Sequence, residues 1–110
     1  MRSPHLTAAL AAAMVALAPA AALAQDSEDA EIQRMAKEHL RLGKKAYDEG
    51  KFPEAVKELK KSYLLDKRTP EVLSSLGRTY DKLNDYDNAL YWYKKYLAEA
   101  PPAAKDRGEI

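Results

Sequence analysis

Leu42-Gly43 and Leu76-Gly77 lie 34 residues apart, and the same shift carries Gly50 onto Asn84, Phe52 onto Tyr86, Ala55 onto Ala89 and Lys60-Lys61 onto Lys94-Lys95. A register held through two segments marks an internal repeat. A helical repeat of this period stacks hairpins into a binding scaffold rather than folding around a catalytic pocket, so the repeat bears on function as well as fold.

The apolar spacing predicts four helices. Asp26 or Ser27 caps the first, acids Glu28, Asp29 and Glu31 fill its first turn, and Ile32, Met35, His39, Leu42 and Ala46 form one stripe as far as about Glu49. Gly50 ends it. Pro53 suits the first turn of a second helix whose inner face is Ala55, Val56, Leu59, Ser62 and Tyr63, fading near Asp66. Thr69-Pro70-Glu71 starts a third, with Val72, Leu73, Leu76, Tyr80 and Leu83 on its apolar side. Asn84 then stands where Gly50 stood, and both residues tolerate the left-handed conformation. The fourth helix, about Tyr86 to Glu99, carries Ala89, Leu90, Trp92, Tyr93, Tyr96 and Leu97 until Pro101-Pro102 stops it. The fold class is therefore all-α, two antiparallel helix-turn-helix hairpins.

Two helices joined by a short turn approach closely only where one side lacks bulk. Gly43 and Gly77 on the first helices, with Ala55 and Ala89 on the second, supply that space, and Phe52 and Tyr86 fold over the end of each first helix. In these positions the chain resembles the tetratricopeptide repeat family. Leu42, Gly43, Gly50, Phe52, Ala55 and Leu59 fill the family's places in one unit; Leu76, Gly77, Tyr80, Asn84, Tyr86, Ala89, Tyr93 and Pro101 fill them in the next. The resemblance implies repeats at 36–69 and 70–103 in a short right-handed solenoid, with 25–35 extending the first helix and 104–110 beginning a short capping helix. Departures are His39 and Leu73 where the family often has Trp, Ala46 where it has Tyr, Lys67 where it has Pro, and Ser62 and Tyr96 where it prefers Ala. A large ring at Tyr96 would make the last hairpin repack, or would cover an open end.

The segment before the repeats reads as a leader. Arg2 gives a basic start, Leu6 to Ala18 is almost unbroken apolar chain, and Ala22-Leu23-Ala24 places small residues two apart before Gln25. This predicts a secretory signal peptide of residues 1–24, cut after Ala24, and hence a periplasmic or secreted protein. A membrane anchor is the alternative, but the run falls short of the roughly 20 residues of a span and Pro19 interrupts it, so no stable membrane span is expected. Cleavage takes 24 of the 110 residues and leaves 86, with no cysteine to form a disulfide, so helix packing, a partner or self-association must supply stability. Loss of Arg2 from 18 basic residues leaves 17 against 17 acidic ones, a neutral balance that argues against a nucleic-acid footprint.

No catalytic or metal site is expected. His39 is the single histidine left after His5 is removed and sits on the apolar stripe, which favours a core or edge residue over a ligand. Glu54, Glu58, Asp81, Asp85 and Asp87 fall on solvated faces or helix starts, catalytic serine arrangements and glycine-rich phosphate loops are absent, and the pattern implies no cofactor.

Two surfaces remain. The family resemblance implies a concave groove lined by the first helices, here through Lys37, Arg41, Lys44, Tyr47, Ser74, Arg78 and Asp81, with Lys44 and Arg78 at matching places. These two either hold a partner's carboxylate together or are ordinary solvated charges. The asparagines of the family's carboxylate clamp are missing, so binding of chaperone tails does not carry over. The second surface is the aromatic edge of the last helix. Tyr93, Tyr86 and Leu97 are expected in the core, while Trp92 and Tyr96, with Leu97 beside them, face the side where a further repeat would stack. That edge is either covered by residues after Pro102 or docks another chain. The leading expectation is a non-enzymatic module that binds a protein or peptide; the alternative is a self-assembly unit stacking into a homo-oligomer, because two repeats fall short of the three usually needed.

Overall fold

The computed structural model describes the backbone of residues 3–100 and the side chains of residues 21–100. Among the described residues the chain forms four helices and no strand: α1 (Ser3–Asp48), α2 (Phe52–Leu65), α3 (Pro70–Lys82) and α4 (Tyr86–Glu99). It divides into two compact units, Met1–Glu31 and Ile32–Ile110. The first is helical from Ser3, and its side chains from Ala21 onward are exposed. Helix therefore continues through Asp26 and Ser27 instead of starting there. Alanine is the strongest helix former, and between Ala20 and Gly43 no proline or glycine stands to interrupt it. The expected capping helix at 104–110 lies outside the described residues, as do the side chains of most of the leader. Among the described residues no helix is long and apolar enough to cross a membrane.

In the second unit the two turns repeat at the level of single hydrogen bonds. Gly50 N–H donates to Tyr47 O at 3.0 Å and Lys51 N–H to Ala46 O at 2.8 Å; one period later Asn84 N–H donates to Asp81 O and Asp85 N–H to Tyr80 O, both at 3.0 Å. This paired pattern closes a helix through a left-handed residue, and Gly50 (φ 75°) and Asn84 (φ 59°) take that conformation as the sequence predicts. The helix starts differ more. Pro53 and Pro70 stand in the first turns of α2 and α3, but Thr69 makes no side-chain capping bond. Asp85 does cap α4, accepting from Asn88 N–H at 3.3 Å and from Asn88 Nδ2 at 2.7 Å.

One apolar cluster joins the hairpins: Leu59 and Tyr63 of α2, Val72, Leu73, Leu76 and Tyr80 of α3, and Ala89, Trp92, Tyr96 and Ala100 at α4 and its end. Full burial of each aliphatic side chain contributes about 1.5–3 kcal/mol before the entropy of ordering is set against it. The glycines act as close-approach points. A Cβ on Gly43 would stand 2.7 Å from Leu59 Cγ, and one on Gly77 would run into the Tyr93 ring. Cross-helix polar ties reinforce the first hairpin: Ser62 Oγ donates to Ala36 O at 2.8 Å, and His39 Nδ1 lies 2.7 Å from Glu58 Oε2. His39 is thus a half-buried edge residue.

The face of α4 is turned relative to expectation. Trp92 and Tyr96 are buried in the cluster, whereas Tyr86 and Leu97 are exposed and Tyr93 is half-buried. Three- and four-residue steps run along both sides of this helix, so periodicity alone does not choose between them. Trp92 is drawn inward by Tyr63, which it meets edge-on at 5.6 Å between ring centres. Tyr86 turns outward because its counterpart's partner is missing. Phe52 packs edge-on against Tyr47 at 5.4 Å, but Asp81 stands in the place of Tyr47 in the second repeat, and Tyr86 instead donates its hydroxyl to Asn84 Oδ1 at 2.9 Å.

Candidate functional site

The helices α1 and α3 come together over a cleft of about 170 Å³. Its buried base is Gly43, Leu59 and Thr79; Lys44, Tyr47 and Asp48 rise from α1, and Ser75 and Arg78 from α3. Steps of three and four residues place these side chains on one face of each helix, and the glycine lets Leu59 fill the base without lifting the helices apart. Lys44 and Arg78, predicted as matching cations, thus line one cleft, with Tyr47 beside them.

Lys44 already has an acidic partner. Its Nζ stands 2.6 Å from Glu71 Oε1, a half-exposed pair that ties α1 to the first turn of α3. Such exposed pairs contribute about 0–1 kcal/mol, so Glu71 holds Lys44 only weakly. Arg41 is engaged within its own helix, donating to Glu38 at 2.6 and 3.0 Å. That guanidinium holds the Glu38 carboxyl below the usual range.

The other predicted groove residues scatter. Lys37 and Arg41 line a shallower hollow along α1 that also touches Lys44. Asp81 is exposed on α3. Ser74 is buried, against expectation, its hydroxyl donating to Glu71 O at 3.1 Å within α3, and the neighbouring Ser75 takes its place on the cleft wall. A one-residue step on a helix turns a side chain by about 100°, which is enough to move it from wall to interior.

Tyr93 is a residue that sequence reasoning confined to packing. Burial pushes its phenol up, Asp81 and Tyr47 push the same way, and Arg78 opposes them. Its ring lies against Gly77, so a single side chain links the hairpin interior to the charges of the groove. The signal was present in the sequence as bulk opposite a glycine. Of the predicted edge, Trp92 and Tyr96 lie inside and Leu97 alone stays open.

Among the described residues no group of three or more His, Cys, Asp or Glu side chains could hold a metal ion. The cleft offers two cations, an acid, a phenol and a hydroxyl on a partly apolar base. That set can clasp a polar or acidic chain.

Comparison with known proteins agrees with the architecture. Residues 70–103 match the family model described as tetratricopeptide repeat, a span that opens where α3 begins. No curated protein matches the chain.

Proposed function

We propose that this tetratricopeptide repeat protein is a non-enzymatic scaffold that binds a protein or peptide in the periplasm or outside the cell. Tetratricopeptide repeat domains are generally protein-interaction scaffolds. The observation that carries the reading is the α1/α3 cleft, where Lys44 and Arg78 occupy equivalent places of successive repeats beside Tyr47. Two cations at such spacing suit an extended segment with acidic side chains or a terminal carboxylate. The leader of residues 1–24, with small residues before Gln25, supports export.

Capture from periplasmic extract tests the cleft. Reversing Lys44 and Arg78 together to Glu should weaken recovery of partners while helicity and melting stay nearly unchanged, since both side chains are exposed. Glu71→Gln should act in the opposite direction by releasing Lys44. Equal capture by all three proteins removes the cleft from consideration. N-terminal sequencing of the exported protein should begin at Gln25. The self-assembly alternative drew on Trp92, Tyr96 and Leu97, and the burial of the first two weighs against it.

A further inference from the structure

Among the described residues, one side of the last hairpin exposes apolar side chains. Tyr86 is 62% exposed, Leu90 53%, Leu97 38% and, at the turn, Leu83 37%, with half-buried Tyr93 between them. The 86, 90, 93, 97 spacing keeps these side chains on one stripe of α4. A contiguous apolar face of this kind marks an interaction surface more often than scattered exposed residues do.

What the face is shaped to hold is visible one repeat earlier. The 34-residue shift carries Phe52, Val56, Leu59 and Tyr63 onto Tyr86, Leu90, Tyr93 and Leu97. On α2 this stripe is covered: Leu59 and Tyr63 share one buried cluster with Val72, Leu73, Leu76 and Tyr80 of α3, and Val56 packs against it. Lys60 adds a cation–π contact, its Nζ 5.5 Å from the centre of the Tyr80 ring, and the shift carries Lys60 onto Lys94. Phe52, at the end of the stripe, packs on Tyr47 of α1, so it is at Leu90, Tyr93 and Leu97 that the open face of α4 repeats a face occupied by α3.

We propose that the α4 face, Tyr86, Leu90, Tyr93 and Leu97 with Lys94 at its rim, docks an amphipathic helix of a partner protein patterned like α3. The partner presents aliphatic side chains at the places of Val72, Leu73 and Leu76 and an aromatic ring at the place of Tyr80, over which Lys94 sits. Two of the chain's own segments suit the site poorly. In register, 104–110 would bring Asp106 and Arg107 to the places of Val72 and Leu73. A second copy stacked head to tail would offer α1, with Glu38, His39 and Lys45 at the places of Val72, Leu73 and Thr79. Glu38 is paired with Arg41 and His39 with Glu58, and burying such pairs under an apolar face carries a desolvation penalty. This surface is separate from the α1/α3 cleft.

The probe is a labelled, helix-constrained peptide of residues 69–83 of this chain, titrated into the full-length protein and followed by fluorescence anisotropy. Saturable binding is expected, weakened at least about tenfold by Leu90→Glu or Leu97→Glu in the protein and by Leu76→Glu in the peptide, since each buries a charge without a partner. Both protein positions are exposed, so melting should not change. A Tyr80→Leu peptide should bind more weakly to the native protein but not to Lys94→Ala. Reversal of Lys44 and Arg78 should leave the titration unaltered, which separates failure here from failure of the cleft. Absence of saturable binding up to about 1 mM peptide, or binding indifferent to Leu90→Glu, overturns the proposal. So does a concentration-dependent dimer in sedimentation that Leu90→Glu dissolves, which would make the occupant a second copy. Slow amide exchange across 103–110, released by Leu90→Glu, would overturn it in favour of the chain's own tail.

Discussion

In the first hairpin Leu59 and Tyr63 lie under α3; one period later Tyr93 is half-buried and Leu97 exposed, although the turns and the glycine contacts of the two hairpins agree. Polar and apolar roles are exchanged as well. His39 and Glu58 pair across the first hairpin, and Leu73 and Trp92, their counterparts, sit in the apolar cluster. Ser62 bonds to α1 where Tyr96 fills the core. A repeat pattern thus sets backbone and close approach, while the neighbour decides which side chains are interior.

The sharpest way to break this comparison is to truncate equivalent stripes. Leu59→Ala should cost about 3 kcal/mol in urea unfolding, since the side chain is 1% exposed and packs in the apolar cluster. Leu90→Ala, on the open stripe, should cost no more than about 0.5 kcal/mol. Similar losses at both sites would mean that the α4 face is covered.

Alanine at the two glycines probes how each hairpin yields. At Gly43 the new methyl meets Leu59 Cγ at 2.7 Å and its backbone N at 3.3 Å, and the backbone contact yields less readily than a side chain, so overpacking should cost about 2 kcal/mol. At Gly77 it meets a ring with one side open, and the cost should fall to about 1 kcal/mol as Tyr93 swings outward. The Tyr93 phenol titration would follow the ring, moving toward its ordinary value in Gly77→Ala.

The turns should differ by residue and not by site. Gly50→Ala should cost about 1 kcal/mol for its left-handed backbone alone, since nothing lies within 4 Å of the new methyl. Gly50→Asn, copying the second turn, should recover much of that loss. Equal melting points for the two variants would refute the conformational argument.

The smallest effect is electrostatic. The His39 hydrogen bond, with Lys61 and Lys57 nearby, holds the Glu58 carboxyl below its ordinary value of 4.5. A depressed carboxylate contributes stability that is complete above the unfolded value and is lost as pH falls through the folded one. Glu58→Gln should therefore flatten the acid limb of the melting profile slightly, whereas Trp92→Phe, at the equivalent place, should shift the profile without changing its slope.

Most of the frame was legible from residues. Gly50 and Asn84 announced left-handed turns, Gly43 and Gly77 announced close approach, and the ends of α2, α3 and α4 fall within a residue or two of their predicted places. The start of α1 was not, because Asp26 and Ser27 compete poorly as caps with a helix already running into them. The buried side of α4 was misread for a different reason. Trp92 and Tyr96 are held by Tyr63 and the rest of a cluster assembled from three helices, a tertiary fact that no periodicity within α4 contains. Ser74 and Ser75 show the same limit at the cleft, where a small polar residue fits wall or interior equally well.

The hydrogen bonds described between helices join residues 19, 26, 27 and 36 positions apart. Each spans about one repeat or less, and such locality favours rapid folding because little chain must be closed before a contact forms. It also gives synthesis an order. The His39–Glu58 and Ser62–Ala36 bonds can close while α4 is still inside the ribosome, so the last hairpin emerges onto a surface that is already built.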